Sequence, residues 1–375
     1  MRMPEEYNPM EDLGLRSERF MISSCEGVYV AGNYMRGLCG RFIKNGEALY
    51  DAISRYEAIT AFLLQRNNAG IGNRMRMLTP FLKAGGLTDH EAYEFAKENI
   101  VPMPGAKESL DYLKSLLPVF MVTDATEHLG MTVSEALDLP PSMIEGSRID
   151  FDSFDIERKE AKKLREIADR ISKIKLDRKP VATEFDEDIS KTDAELFYTM
   201  EEIFNETLPQ MDIADKASKL ATAGANERSY ALLNKRHAMQ IDFNDIAYVG
   251  NDIHDSLCME LIKDNDGLSI SFNGDNYTVK EANIAVMSDN PIVVSILTAE
   301  FYDYGIDAVF DMAENWNKEW LSSHTCSDKN LMDSMLAQCK KKLPVVRKVT
   351  RNDLKEITSE SLAYRKKMNE RFKKF

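Results

Sequence analysis

The sequence predicts an α/β protein built on an open, doubly wound parallel sheet. Short apolar runs alternate along the chain with longer segments of helical periodicity, as they do in βα units. Two of these runs, Phe20–Ser24 and 246–249, end in small polar and acidic residues. Ligands of such sheets bind beyond the carboxyl ends of the strands. Two polar strand ends that lie far apart in sequence therefore predict one shared site.

The first part of the chain predicts two core strands separated by a helical stretch that reaches residue 100. Within that stretch Thr88 and Glu91 form a capping-box pattern, which starts a helix at Asp89. The elements predicted before residue 130 are the strands Phe20–Ser24 and Val119–Val122 and the helices Tyr50–Gln65, Asp89–Asn99 and Ala106–Leu116.

The middle of the chain, residues 131–222, is rich in Glu, Lys and Asp, and its apolar residues recur at helical spacing. Alternation of strands and helices resumes after it. The elements predicted from here on are helices Ile156–Lys175, Thr192–Phe204, Ile213–Ala223, 226–239 and 254–264, strands 246–249, 268–271 and Ile284–Met287, and one or two further helices within Asp303–Trp320.

This order predicts a divided core domain. Residues 18–32, 101–130 and 223–300 form the α/β core. Residues 33–100 form a helical cap insertion, and residues 131–222 form a second, charged helical insertion. Residues 301–375 form a helical C-terminal extension with a basic tail.

Composition restricts the class of protein. With 375 residues, 43% of them hydrophobic and 29% charged, the chain can bury a large core in more than one folding unit. No apolar run approaches the roughly 20 residues that cross a bilayer. Five cysteines without metal-ligand spacing favour a reduced, cytoplasmic compartment. The net charge of −14 disfavours a nucleic-acid partner, because the phosphate backbone attracts basic surfaces.

Positive charge is concentrated at the carboxyl end. From Lys340 to Phe375 there are 13 Lys and Arg against 4 Asp and Glu, a balance of +9. This tail is either a solvated, partly helical end or a segment that docks on an acidic protein partner, on RNA, or on the acidic face of its own body. The sequence leaves these alternatives open.

Four short motifs lie at predicted strand ends or at the start of a helix: Ser24-Cys25-Glu26-Gly27, Val122-Thr123-Asp124, Gly224-Ala225-Asn226-Glu227-Arg228, and Gly250-Asn251-Asp252-Ile253-His254-Asp255. In this order they resemble the motifs of the haloacid dehalogenase superfamily of phosphotransferases. They are more closely similar to an archaeal branch related to subunit R of energy-converting hydrogenase. The resemblance spans residues 18–300 and implies a haloacid dehalogenase-like sheet, helical caps and a phosphoryl-transfer site.

Three charged positions depart from the superfamily pattern. Ser24 stands where the family has its nucleophilic Asp, Arg228 where it has a Lys, and Asn251 where it has a metal-binding Asp. Glu26, at the general acid/base position, and Thr123 are kept. The resemblance thus implies catalytic positions at Ser24, Glu26, Thr123 and Arg228, and metal positions at Asn251, Asp252 and Asp255.

These changes alter the chemistry that the resemblance implies. A serine hydroxyl is a weak nucleophile without an adjacent base, and the sequence offers Ser24 none except Glu26. Magnesium, the implied cofactor, prefers carboxylate and water oxygens, so the loss of two carboxylates weakens or removes its site. Arg228 keeps a positive charge in a planar fork suited to phosphate or carboxylate. A weakened metal site formed by Asp124, Asp252 and Asp255 remains an alternative.

Two neighbouring residues are not expected to act chemically. Cys25 lies between two motif positions and is expected to be a buried, inert thiol. His254 is expected to be a solvent-exposed or capping residue rather than a catalyst.

Three functions follow as alternatives. The first is a degenerate relative that binds a phosphorylated or other anionic small molecule with little or no turnover. The second is a magnesium-dependent phosphatase with atypical catalytic residues. The third is a structural or assembly protein of an archaeal energy-metabolism complex. In each case, Ser24 and Asp255 are expected to meet at one end of the sheet with Glu26, Thr123, Arg228 and Asn251.

Overall fold

The computed structural model describes residues 18–64, 74–177, 179, 181, 189–324, 328–339 and 342–372. Its centre is a sheet whose seven strands are β1 (Phe20–Ser24), β2 (Val119–Thr126), β3 (Ile144–Ser147), β4 (Ile246–Gly250), β5 (Leu268–Phe272), β6 (Ile284–Met287) and β7 (Val345–Lys348). Their spatial order is β3-β2-β1-β4-β5-β6-β7. Every neighbouring pair is parallel except β6 and β7, which are antiparallel.

Helices connect the strands and account for most of the rest of the described chain. They are α1 (Tyr34–Phe42), α2 (Gly46–Leu64), α3 (Arg74–Ala84), α4 (Asp89–Asn99), α5 (Ala106–Leu116), α6 (Glu127–Leu137), α7 (Arg158–Ile171), α8 (Lys191–Glu201), α9 (Asp212–Ser218), α10 (Ala225–Met239), α11 (Ser256–Lys263), α12 (Asn276–Lys280), α13 (Ile292–Tyr304), α14 (Ile306–Glu314), α15 (Lys318–Ser323), α16 (Lys329–Gln338) and α17 (Leu354–Arg371).

Both faces of the sheet are buried, so apolar residues occupy most positions of its central strands. Along β1, Met21 packs into one apolar cluster, whereas Phe20 and Ile22 pack into another. In β4, Ala247 and Tyr248 are divided between the same two clusters. Successive side chains of a strand point to opposite faces, so each cluster marks one face of the sheet.

The helices between β1 and β2 pack against those between β3 and β4. Tyr56 of α2 stacks on Phe204, with ring centroids 5.8 Å apart, and donates a hydrogen bond to Glu201 at 2.6 Å. Arg55, also on α2, binds Asp193 of α8 through two hydrogen bonds of 2.5 and 2.7 Å. The two groups of helices are therefore joined by both apolar and ionic contacts.

The predicted α/β fold with a mostly parallel sheet and surrounding helices is confirmed. The elements Phe20–Ser24, Asp89–Asn99, Ala106–Leu116 and Ile284–Met287 have the predicted bounds. Thr88 and Glu91 form both hydrogen bonds of the expected capping box. The helix expected at Tyr50–Gln65 begins earlier, at Gly46, and Gln65 lies outside the described residues.

Two edge strands were not expected. β3 lies inside residues 131–222, so the expectation of a wholly helical insertion there is wrong. β7 likewise lies inside the extension expected to be helical. Both strands are four residues long and half-exposed, and β3 contains one apolar residue, Ile144. Edge strands pair on one side only and often carry charges, so neither segment shows the apolar run that identifies a buried strand. None of the described helices is long and apolar enough to cross a membrane.

Candidate functional site

A pocket lies at the carboxyl edge of the parallel strands, where β1, β4 and β5 end and β2 continues past the end of β1 to Thr126. Its lining includes Ser24, Glu26, Thr123, Arg228 and Asn251, from all four motifs. Its cavity volume is about 70 Å³. Because a bound water needs about 10–15 Å³ of such space, the cavity accommodates several waters or one small anion.

Ser24 and Asp255 meet as expected, although 231 positions separate them in sequence. The Ser24 hydroxyl donates to Asp255 Oδ2 at 2.6 Å. Asp255 is fully buried, and its carboxylate accepts from five donors: Ser24, Tyr248, Arg228 and the main-chain N–H groups of Asn251 and Asp252. The sequence showed no base beside Ser24 other than Glu26, and this expectation is wrong. With five donors, however, Asp255 orients the hydroxyl and is poorly placed to remove its proton.

Arg228 lies in the first turn of α10 and is 4% exposed. Its Nε donates to Ala223 O at 2.9 Å, and its Nη1 lies 2.5 Å from Asp255 Oδ1 and 3.5 Å from Ser24 Oγ. Burial lowers the pKa of Arg228, but the Asp255 charge outweighs it, so the net shift is upward. Nη2 donates to none of the described residues. The guanidinium is thus a fixed cation in the pocket wall.

Glu26 follows β1 and remains partly exposed to the pocket. Its two carboxylate oxygens accept from Tyr34 N at 2.9 Å and from the Thr123 hydroxyl at 2.7 Å. Burial and, after it, the charge of Asp124 raise the pKa of Glu26 to about 7. The kept pair of motif residues, Glu26 and Thr123, is therefore in direct contact, and Glu26 carries a proton for part of the time at neutral pH.

The turn after Glu26 depends on glycine. Gly27 has a φ of +77°, and a Cβ built there would lie 2.5 Å from the Asn251 side-chain amide. The Gly27 N–H donates to Val30 O at 2.7 Å. This N–H is therefore occupied within the turn and is not available to a ligand.

Asn251 is held by main-chain carbonyls rather than directed at the pocket centre. Its side-chain amide donates to Phe272 O at 2.7 Å and to Asn273 O at 3.2 Å. Asn273 lies just beyond β5 with a φ of +50°, and its side chain pairs with Ser288. Asn251 thus ties the end of β4 to the end of β5, a role that requires an amide rather than a carboxylate.

A buried cation from the helical insertion lies beside the pocket. Arg74, at the start of α3, is 4% exposed. Its Nη1 lies 3.2 Å from Asp124, and its Nη2 lies 3.4 Å from Asp252 and 2.9 Å from Glu57. Tyr50 accepts a further hydrogen bond from Nη1 at 2.9 Å. The guanidinium therefore bridges the two motif carboxylates that were expected to support a weakened metal site.

His254 is a second cation in this cluster. It is a neighbour in the cap, since its N–H donates to Asp252 at 3.4 Å, but the expectation of a solvent-exposed side chain is wrong. It is 1% exposed, with Nε2 3.1 Å from Glu57. Its Nδ1 lies 3.3 Å from Asp252 and 3.5 Å from Asp124 but makes no hydrogen bond. Burial lowers the pKa of His254, yet the Glu57 charge and the Asp124 contact raise it to about 10. The ring is therefore protonated at neutral pH.

These contacts define an ion cluster of three carboxylates and two cations. Burial raises the pKa of Asp124, but His254 and Arg74 outweigh it and hold the pKa well below its usual range. The pKa of Asp252 is also lowered, with Arg74 and His254 overcoming burial. Asp124 and Asp252 are therefore ionised at neutral pH, with Arg74 and His254 as their neighbouring positive charges.

The residues expected to bind a metal do not fit magnesium as they are arranged. Asp255 has both oxygens engaged by protein donors, Asn251 presents its amide to main-chain carbonyls, and Asp252 is paired with Arg74 and His254. Magnesium requires oxygen ligands in near-ideal octahedral geometry. Among the described residues, no group of three or more His, Cys, Asp or Glu could hold a metal ion.

The C-terminal helix α17 forms one wall of the pocket. Arg365 Nη1 donates to Asn251 O, and its Nη2 lies 3.7 Å from Asp252 Oδ2. Met368, Asn369 and Phe372 also line the pocket. The basic tail thus includes a largely exposed helix, as in a solvated helical end, and Arg365 of that helix also contacts Asp252 of the chain's own body.

Sequence reasoning missed Glu57, Arg74 and Arg365 and assigned the wrong environment to His254. The first three come from outside the four motifs, on the helical insertion and the C-terminal helix. A buried Arg at a helix start has no local signature, since its partners are fixed by tertiary packing. Cys25 was predicted correctly: it is buried, and burial raises the pKa of its thiol.

The fold has a counterpart among solved structures. The chain is similar to gene product AF1437 from Archaeoglobus fulgidus, with a TM-score of 0.72 and 18% identity over 94% of this chain and 96% of that chain. At this identity the likeness shows the fold alone.

Two phosphoserine phosphatase structures are more distant. A phospho-aspartyl intermediate analogue matches at a TM-score of 0.42 and 13% identity, over 71% of this chain and 92% of that chain. A substrate-bound complex matches at 0.40 and 12%, over 76% and 98%. TM-scores this low do not establish a shared fold. No family model matches the chain, and no curated protein matches its sequence.

Proposed function

We propose that this chain is a haloacid dehalogenase-like protein with a degenerate phosphotransferase site. In this proposal the pocket binds a phosphorylated or other anionic small molecule with little or no turnover. The proposal depends mainly on one observation: the guanidinium of Arg74 bridges Asp124 and Asp252. A metal would need these two carboxylates to be free. The convergence of the four motifs at one pocket supports the resemblance on which the proposal rests.

Two groups are suited to hold an anion in the pocket. Arg228 offers Nη2 from a guanidinium that is otherwise fixed, and charge-assisted hydrogen bonds from Arg to phosphate are stronger than neutral ones. Glu26, with a pKa of about 7, donates a hydrogen bond to an anion whenever it is protonated.

Turnover is disfavoured by the same arrangement. The position of the nucleophilic carboxylate holds Ser24, whose proton is directed at Asp255. Asp255 is saturated with donors, and Glu26 accepts from Thr123 and Tyr34 N rather than from Ser24. General acid/base assistance contributes about 10²–10⁴-fold, which does not replace a lost covalent pathway.

The alternative is a magnesium-dependent phosphatase with atypical catalytic residues, in which Ser24 would be the nucleophile and Asp255 its nearest carboxylate. An anion-binding protein without turnover and a phosphatase differ in their need for a metal and in whether phosphate is released. A thermal-shift screen of phosphorylated and carboxylated metabolites, with and without magnesium, followed by phosphate-release assays on the compounds that stabilise the protein, distinguishes them. Metal-independent stabilisation without phosphate release is the expected result. Magnesium-dependent release that Ser24→Ala abolishes would establish the phosphatase instead.

A further inference from the structure

We propose that the second half of α17 is a C-terminal strap, residues 362–372, that closes the pocket and limits the size of its ligand. Arg365, Met368, Asn369 and Phe372 line the pocket. Their spacing along the chain places them on one face of the helix. The part of the proposal that concerns the ligand rests on the function proposed above.

The two halves of α17 are held differently. In the first half, Leu354 and Ile357 are buried in an apolar cluster with Val279, Ala285 and Met287. In the strap, Met368 is buried, and Tyr364 and Phe372 pack partly buried against the main core cluster. The first half is thus anchored to the sheet by fully buried side chains, whereas the strap rests on one buried and two partly buried apolar side chains.

Polar contacts hold the strap closed at its start. Arg365 Nη1 donates to Asn251 O and lies 3.5 Å from Asn273 O, and Nη2 lies 3.7 Å from the Asp252 carboxylate. The side chain of Arg365 is 24% exposed. Segments that rest on few apolar contacts and partly solvated polar ones open at low free energy. Arg365 is accordingly the residue whose polar contacts hold the strap against the pocket.

The strap also explains the small size of the pocket. With the strap in place the cavity volume is about 70 Å³, enough for inorganic phosphate but not for a phosphate ester with a bulky group. Met368 and Phe372 add apolar side chains to a wall that faces the polar groups of the motifs. Opening of the strap admits the ligand, and the strap in its closed position excludes large ones.

Hydrogen exchange of the full-length chain tests the strap without a ligand. Arg365→Ala removes a charge-assisted hydrogen bond, so amides of residues 362–371 are expected to exchange about tenfold faster or more. Amides of 354–361 are expected to be unchanged. Arg347→Ala is the matched control, since Arg347 pairs with Glu356 and Glu360 on the first half. If the alanine variant folds poorly, Arg365→Lys replaces it in the same measurement, because lysine keeps the charge but not the guanidinium. Unchanged exchange in 362–371, or equal acceleration of both halves, overturns the strap.

Calorimetric titration with inorganic phosphate and with phenyl phosphate tests whether the strap limits the size of the ligand. Arg365→Ala is expected to raise the affinity for phenyl phosphate relative to that for inorganic phosphate. An unchanged ratio overturns the role in size selection. If neither anion binds either protein while exchange in 362–371 accelerates, the proposed anion-binding function fails and the strap itself stands.

Discussion

Removal of Arg74 is expected to destabilise the protein strongly. The side chain is 5% exposed and lies within 3.4 Å of carboxylate oxygens of Glu57, Asp124 and Asp252. Arg74→Met keeps much of the apolar stem but leaves these three buried acids with His254 as their main counter-charge. Breaking a buried ion pair by removing one partner costs about 3–5 kcal/mol. The free energy of unfolding from urea denaturation measures the loss.

Arg76→Met is the matched control on the same helix. Arg76 pairs with Glu227 at 3.2 Å, but the two side chains are 29% and 39% exposed. Such a partly solvated pair contributes about 1 kcal/mol or less. Equal losses of stability in the two variants would refute the assignment of Arg74 to a buried ion cluster.

A metal titration of the same variants extends the test. Without Arg74, the carboxylates of Asp124, Asp252 and Glu57 become available to a cation. Magnesium or manganese is therefore expected to stabilise Arg74→Met, by about 2.7 kcal/mol at a concentration one hundred times the dissociation constant. The wild-type protein is expected to gain little. A gain in the wild type as large as that in the variant would show that Arg74 does not take the place of a metal.

Three further predictions follow from the pocket residues. Asn251→Asp places an acceptor against two main-chain carbonyls and is expected to cost about 1–3 kcal/mol in urea unfolding; no loss would contradict the role of its amide. Because the folded-state pKa of Glu26 is raised from 4.5 to about 7, its stabilising contribution is complete below pH 4.5 and is lost as pH rises through 7. Glu26→Gln should remove this part of the pH dependence of unfolding, and sulfate affinity of the wild type should fall above pH 7. Hydrolysis of p-nitrophenyl phosphate is expected to be absent or very low, and robust magnesium-dependent activity that Ser24→Ala abolishes would contradict this.

The central part of the fold could be predicted from the sequence because its strands are buried on both faces. Ile284–Met287 is a continuous apolar run, and Phe20–Ser24 is an apolar run that ends in two buried serines. The edge strand β3 contains a glycine and a glutamate and pairs only with β2. Its strand conformation depends on that neighbour, so its own four residues carry little signal.

The same distinction applies to the candidate site. Ser24, Glu26, Thr123 and Asp255 lie on or just after strands that are neighbours in a parallel sheet, so topology alone brings them together. Arg74 reaches the pocket through the packing of the insertion, and Arg365 reaches it through the docking of α17. Neither route is encoded near the motifs. The chemical character of the pocket therefore depends on residues that only the tertiary structure identifies.

The central claim is that the pocket binds an anion without a metal. Calorimetric titration of the metal-stripped, full-length chain with inorganic phosphate, repeated in the presence of magnesium, tests it most directly. The account predicts binding with the same affinity in both titrations and weaker binding in Arg228→Ala. Phosphate binding that appears only when magnesium is added, or that Arg228→Ala leaves unchanged, would contradict it.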